Sequence, residues 1–86
     1  MSPEDLRFEV RSHLYSRPTA SEQAPQIRNH LRRRGHEVSD DSITAALVFL
    51  EGLTPPQVQR RHSPLGGSLP YWQITSTGIL AHERNE

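Results

Sequence analysis

The sequence predicts an α+β domain: three helices, then a two-stranded β-hairpin, then a short C-terminal helix or tail. Three observations carry that expectation. Apolar residues recur at helical spacing through residues 3–52. Each of these stretches opens with residues suited to capping a helix. After Pro55-Pro56 the texture changes to two short extended runs joined by a loop rich in Gly and Pro, the mark of a hairpin. At 86 residues and 33% hydrophobic content, the chain reads as a single domain, 1–86, with one thin core and little room for an enclosed catalytic cavity.

The first helix is expected at about residues 3–15, in "SPEDLRFEVRSHLY". Ser2 is placed to cap it, Pro3 suits its first position, and Glu4 and Asp5 complement the positive end of the helix dipole. Leu6, Val10 and Leu14 make one apolar stripe, which Phe8 and Tyr15 would widen; Pro18 then breaks the helix. The second helix is expected at about 20–35. Two starts stay open. Thr19 with Glu22 has capping-box spacing but puts Pro25 inside the helix, whereas a later start puts Pro25 in the first turn. Ala24, Ile27 and Leu31 face inward and Gly35 ends the helix.

The third helix, about 40–52, follows the Ser39 cap, with Asp40 and Asp41 in its first turn. Ile43, Ala46, Leu47 and Leu50 form its buried stripe, extended by Phe49 and Leu53. Thr44, Val48 and Glu51 are expected to project outward. The hairpin spans about 57–75, with "QVQRRHS" and "YWQIT" as its strands and "PLGGSLP" as its loop.

Three helices and a hairpin resemble a winged-helix domain. The segment "YWQITSTGILAHE" is similar to the Y-x-[IL]-T-x-x-G stretch that follows the wing in bacterial regulators of the MarR and PadR type, and "DDSITAALVFLEGL" resembles their third helix. The resemblance implies that Tyr71 and Ile74 lie on the second wing strand, that Thr75 opens the closing turn, and that Gly78 permits close packing. It also implies DNA binding, with the third helix in the major groove and basic wing residues on the backbone or minor groove.

Charge works against the major-groove part of that expectation. The chain has ten Arg, no Lys and zero net charge, so it lacks a strongly basic footprint. Residues 21–38 and 54–75 each carry +2, whereas 39–53 carry −3. The outward set Asp40, Asp41, Thr44, Val48 and Glu51 holds no Arg, Lys, Asn or Gln, the side chains that read purine edges. Nucleic-acid contact is therefore expected at Arg28, Arg32 and Arg33 of the second helix and at Arg60, Arg61 and Trp72 of the hairpin, with Trp72 supporting the wing or stacking on a base. The plainer reading makes Trp72 a core anchor and the arginines solvated. The alternative function is a protein-interaction or dimerisation module using Asp40, Asp41, Thr44, Val48 and Glu51, with Val48 and Leu65 as apolar contacts. The helix-two arginines are then expected to pair with the helix-three carboxylates, within the chain or across a homodimer.

Other chemistries find little support. Cysteine is absent, and His13, His30, His36, His62 and His82 show no zinc-ligand spacing. "LGGS" is too short for a phosphate loop, and pairing Ser63 with His62 and a carboxylate is the kind of set that arises by chance. No enzyme activity, cofactor, metal or small-molecule substrate is expected. With no apolar run long enough to span a bilayer and no signal-peptide pattern, a cytoplasmic, soluble protein is expected.

Overall fold

A computed structural model describes residues 1–62, 67 and 69–85. The architecture is α+β. Helices α1 (Pro3–Ser16), α2 (Ala24–Arg33) and α3 (Asp40–Glu51) are followed by strands β1 (Val58–Arg61) and β2 (Tyr71–Ile74), then by helix α4 (Ser76–Glu83). The open question of the last segment is thus resolved as a helix.

Local chemistry sets the ends of the helices. Ser2 Oγ accepts from Asp5 N–H at 3.1 Å, and Ser39 Oγ accepts from Ser42 N–H at 3.1 Å, so both expected caps form. Helix α2 takes the later of its two starts, which corrects the expected boundary of 20 to 24. Pro25 sits in the first turn, where its missing N–H has no helical partner to lose. Gln26 Oε1 reaches back to the N–H of Gln23 at 2.7 Å. Thr19 and Glu22 form no capping box, because Glu22 is drawn into the sheet. At the other end α2 stops at Arg33, and Gly35 turns the chain with φ +90, a value that an L side chain rarely adopts.

The strands pair antiparallel, Val58 opposite Ile74 and Arg61 opposite Tyr71. Glu22, between α1 and α2, joins the other edge of β2 through an antiparallel bridge to Trp72, with N–H···O distances of 3.0 and 2.8 Å. One core results. Leu6, Val10 and Leu14 of α1, Ile27 and Leu31 of α2, and Ile43, Ala46, Leu47 and Leu50 of α3 meet Val58, Trp72 and Ile74 from the hairpin. Trp72 is only 1% exposed and is among the largest fully buried side chains.

The hairpin is tied to its neighbours at its base. Gln57 N–H donates to Leu50 O and Thr75 N–H donates to Gln57 O, both at 3.0 Å. Thr75 Oγ1 donates to Pro56 O at 2.7 Å while accepting from Gly78 N–H at 3.1 Å, which caps α4. Gly78 lies against this junction. A Cβ built there would collide with the carbonyl oxygen of Gln57 and come within 2.7 Å of Ile74 Cγ1.

Two aromatic expectations are corrected. Phe49 is 45% exposed rather than an extension of the buried stripe, and Phe8 is 42% exposed. Both fall off the spacing that carries the core residues of their helices. Leu53 and Tyr15 do pack, half-buried, against the core.

Candidate interaction surface on the third helix

Helix α3 turns Ile43, Ala46, Leu47 and Leu50 into the core. By helical spacing, Asp41, Ala45 and Val48 then occupy the middle of its outer face, with Thr44 on one flank and Phe49 on the other. All five are exposed. The two large apolar side chains, Val48 and Phe49, each leave 45% of their surface in solvent. Phe49 is covered on one face by Arg7, whose guanidinium carbon stands 3.6 Å from the ring centroid. Phe8, Arg7 and Phe49 line one groove between α1 and the end of α3, together with Leu50 and Leu53.

The carboxylates of this helix are largely matched within the chain. Arg28 Nη1 of α2 lies 2.8 Å from Asp40 Oδ1. Glu51 receives Arg60 in a two-point contact, Nη2 to Oε1 at 3.0 Å and Nε to Oε2 at 3.3 Å. Arg60 shares the inner face of the hairpin with Val58, and its guanidinium also covers Trp72, 4.7 Å from the ring centroid. Arg60 therefore fastens β1 to α3 through Glu51 while lying over Trp72 of β2. Among the described residues, Asp41 has no ion-pair partner within 4.0 Å.

The residues named from sequence thus separate into groups. Arg28 and Arg60 are engaged by Asp40 and Glu51, so part of the expected helix-two pairing is present within the chain, joined by a hairpin arginine. Arg32, Arg33 and Arg61 are exposed and, among the described residues, have no carboxylate within 4.0 Å. Trp72 occupies the core-anchor position and offers no free face for a stacked base. Thr44 and Val48 stand outward as expected. Leu65, Ser63 and most of the "LGGS" stretch lie outside the described residues.

Sequence reasoning missed a polar cluster on the α1–α2 side. His13 is 3% exposed, and its Nε2 approaches both carboxylate oxygens of Glu22, at 2.9 and 3.0 Å. The His30 ring stacks on His13 with centroids 4.0 Å apart. Burial, followed by the nearby His13 and Arg34 charges, lowers the His30 pKa and favours the neutral ring. His82 is lowered in the same way by burial and Arg11. A hydrogen bond to the Glu83 carboxylate raises the Tyr15 hydroxyl. Nothing local in the sequence signals the His13–Glu22 contact, which joins residues on opposite sides of the α1–α2 turn.

Among the described residues, no trio of His, Asp or Glu is gathered to hold a metal, and no helix is long and apolar enough to cross a membrane. The chain matches no protein-family model, curated protein or solved structure.

Proposed function

We propose that this chain is a winged-helix domain whose third-helix face meets a protein partner rather than the bases of DNA. Element order supports the fold half of that reading. Helix, edge segment, two helices and hairpin follow in turn, and Glu22 occupies the place of the first strand in a three-stranded wing sheet. The interaction half rests on one observation: Arg28 and Arg60, which flank α3, are held by its own carboxylates. What faces outward is a ridge of Ala45, Val48, Phe49 and Thr44, with Asp41 at its start. A ridge without long donors is poorly suited to base edges. An apolar strip whose rim carries the Arg28–Asp40 and Arg60–Glu51 pairs resembles the centre and edge of a protein interface.

Photo-crosslinking in the source cell tests this. With benzoylphenylalanine in place of Val48, the expected product is a discrete protein adduct that Phe49→Asp abolishes. Adducts to nucleic acid instead would refute the reading.

A second reading, nucleic-acid binding of a regulatory kind, is favoured by the exposed Arg32, Arg33 and Arg61, which have no carboxylate partner among the described residues. It predicts duplex binding at about 50 mM salt that weakens steeply as salt rises, because neutralised phosphates release counterions. Arg61→Ala would weaken that binding. No detectable affinity at low salt removes this second reading.

A further inference from the structure

We propose that the polar cleft between the end of α1 and the outer side of α2 is a binding site for a tetrahedral oxyanion, in the first instance a phosphoryl group. Its walls are Arg17, Gln26, Asn29, His30 and Arg33, and its floor is the His13–Glu22 pair. Every lining side chain is polar, whereas the other surface grooves carry Met1, Leu6, Phe8, Phe49 or Leu80.

The charge balance in the cleft favours an anion. Glu22 is its carboxylate, and both of its oxygens already face His13 Nε2. Arg17 stands 3.8 Å from Glu22 with 63% of its side chain exposed, a loose contact that leaves its remaining donors free to turn outward. Arg33 is exposed and, among the described residues, has no carboxylate within 4.0 Å; Arg34 next to it leans toward Glu9 at 3.8 Å. Two guanidinium forks and two side-chain amides converging on one polar recess match the several acceptor oxygens of a phosphoryl group, which guanidinium binds through paired N–H donors. The anion would be held by side chains, since the backbone end of α2 at Arg33 is the carbonyl end and repels negative charge.

The same chemistry is supplied by a free phosphate compound or by a phosphate of a nucleic-acid backbone. The test is an NMR titration of the full chain, following the imidazole signals of His13 and His30. Sodium phosphate is compared with sodium chloride at equal ionic strength, then with a mononucleotide and a short DNA duplex. The expected result is saturable movement of both imidazole sets with phosphate, at about millimolar affinity, and no such movement with chloride. Arg17→Ala and Arg33→Ala are each expected to weaken binding about tenfold, since each removes a charge-assisted contact. Both side chains are exposed, so an unchanged melting temperature confirms that the variants fold. Saturation by the mononucleotide without gain in the duplex assigns a small ligand; tighter, strongly salt-dependent saturation by the duplex assigns a backbone phosphate. Identical responses to phosphate and chloride, or full affinity in both variants, would overturn the site.

Discussion

Gly78→Ala isolates the junction on which the hairpin and α4 depend. The added methyl would meet the Gln57 carbonyl oxygen, Ile74 Cγ1 at 2.7 Å and the Gln57 carbonyl carbon at 3.0 Å. Backbone on one side and a core side chain on the other leave it no free direction, so α4 has to shift away from the 56–57 turn. That motion strains the Thr75 N–H to Gln57 O bond of 3.0 Å and the Thr75 hydroxyl to Pro56 O bond of 2.7 Å. Overpacking costs about 1–3 kcal/mol and each weakened hydrogen bond about 1 kcal/mol. Alanine returns about 1 kcal/mol as the better helix former. The net expectation is a loss of about 2–4 kcal/mol, from a total of about 4–13 kcal/mol for a domain of this size. In a domain this small that lowers Tm by about 8–32 °C. Urea unfolding followed by the fluorescence of Trp72, the lone and buried tryptophan, reads the loss directly. Gly67→Ala is the control, since nothing lies within 4 Å of its built Cβ. A Gly78→Ala protein within about 0.5 kcal/mol of the parent, the usual range for harmless surface changes, would refute the packing argument.

The histidines predict a pH dependence of known sign. His30 and His82 both have folded pKa values below the ordinary 6.5, so the unfolded chain binds protons more readily than the folded one. Their contribution to stability is complete above pH 6.5 and is lost as the pH falls below that value toward the folded ones; urea midpoints between pH 7.5 and 5 should fall accordingly, and His30→Gln with His82→Gln should flatten the profile. The Arg60–Glu51 contact should give a coupling of about 0.5–1 kcal/mol in a double-mutant cycle, modest because both groups are about one-third exposed. Arg60→Ala alone should cost somewhat more than Glu51→Ala, as it also uncovers Trp72. Equal losses would indicate that the ring contact contributes nothing.

What the sequence made legible was local. Ser2, Ser39, Pro3 and the paired aspartates of α3 act within one turn of where they stand, so composition and spacing identify them. The hairpin is readable because Pro55-Pro56 and the Gly- and Pro-containing loop between two short extended runs mark it without reference to the rest of the chain. Phe49 was misjudged for a traceable reason. Hydrophobicity alone added it to the stripe, whereas its angular position, between the core line of Leu50 and the outward line of Val48, places it on the shoulder of the helix. The Glu22–Trp72 bridge and the His13–Glu22 contact join partners brought together only by the turn of α1 into α2 and the return of β2. Glu22 and Trp72 are far apart in the chain, and His13 and Glu22, nine residues apart, meet only because the chain reverses between α1 and α2, which neither helical nor strand periodicity signals. The pairing of Arg60 with Glu51 is half legible: the opposite charges stand in the sequence, but charge alone points to the α2 arginines, whereas the partner lies in β1.

The small sheet has a further consequence, for behaviour in concentrated solution. A strand with an unpaired side offers hydrogen-bonding groups to any other chain, and short sheets are prone to join edge to edge. Here β2 is partly shielded on its far side by Glu22, which, among the described residues, leaves β1 as the open border. That border carries Arg60 and Arg61 side by side, with Arg61 exposed. Stacking two such borders would bring two Arg61 guanidinium groups close together, while each Arg60 stays paired with Glu51. Even if Arg61 never touches a ligand, its exposed charge disfavours edge-to-edge joining of the hairpin.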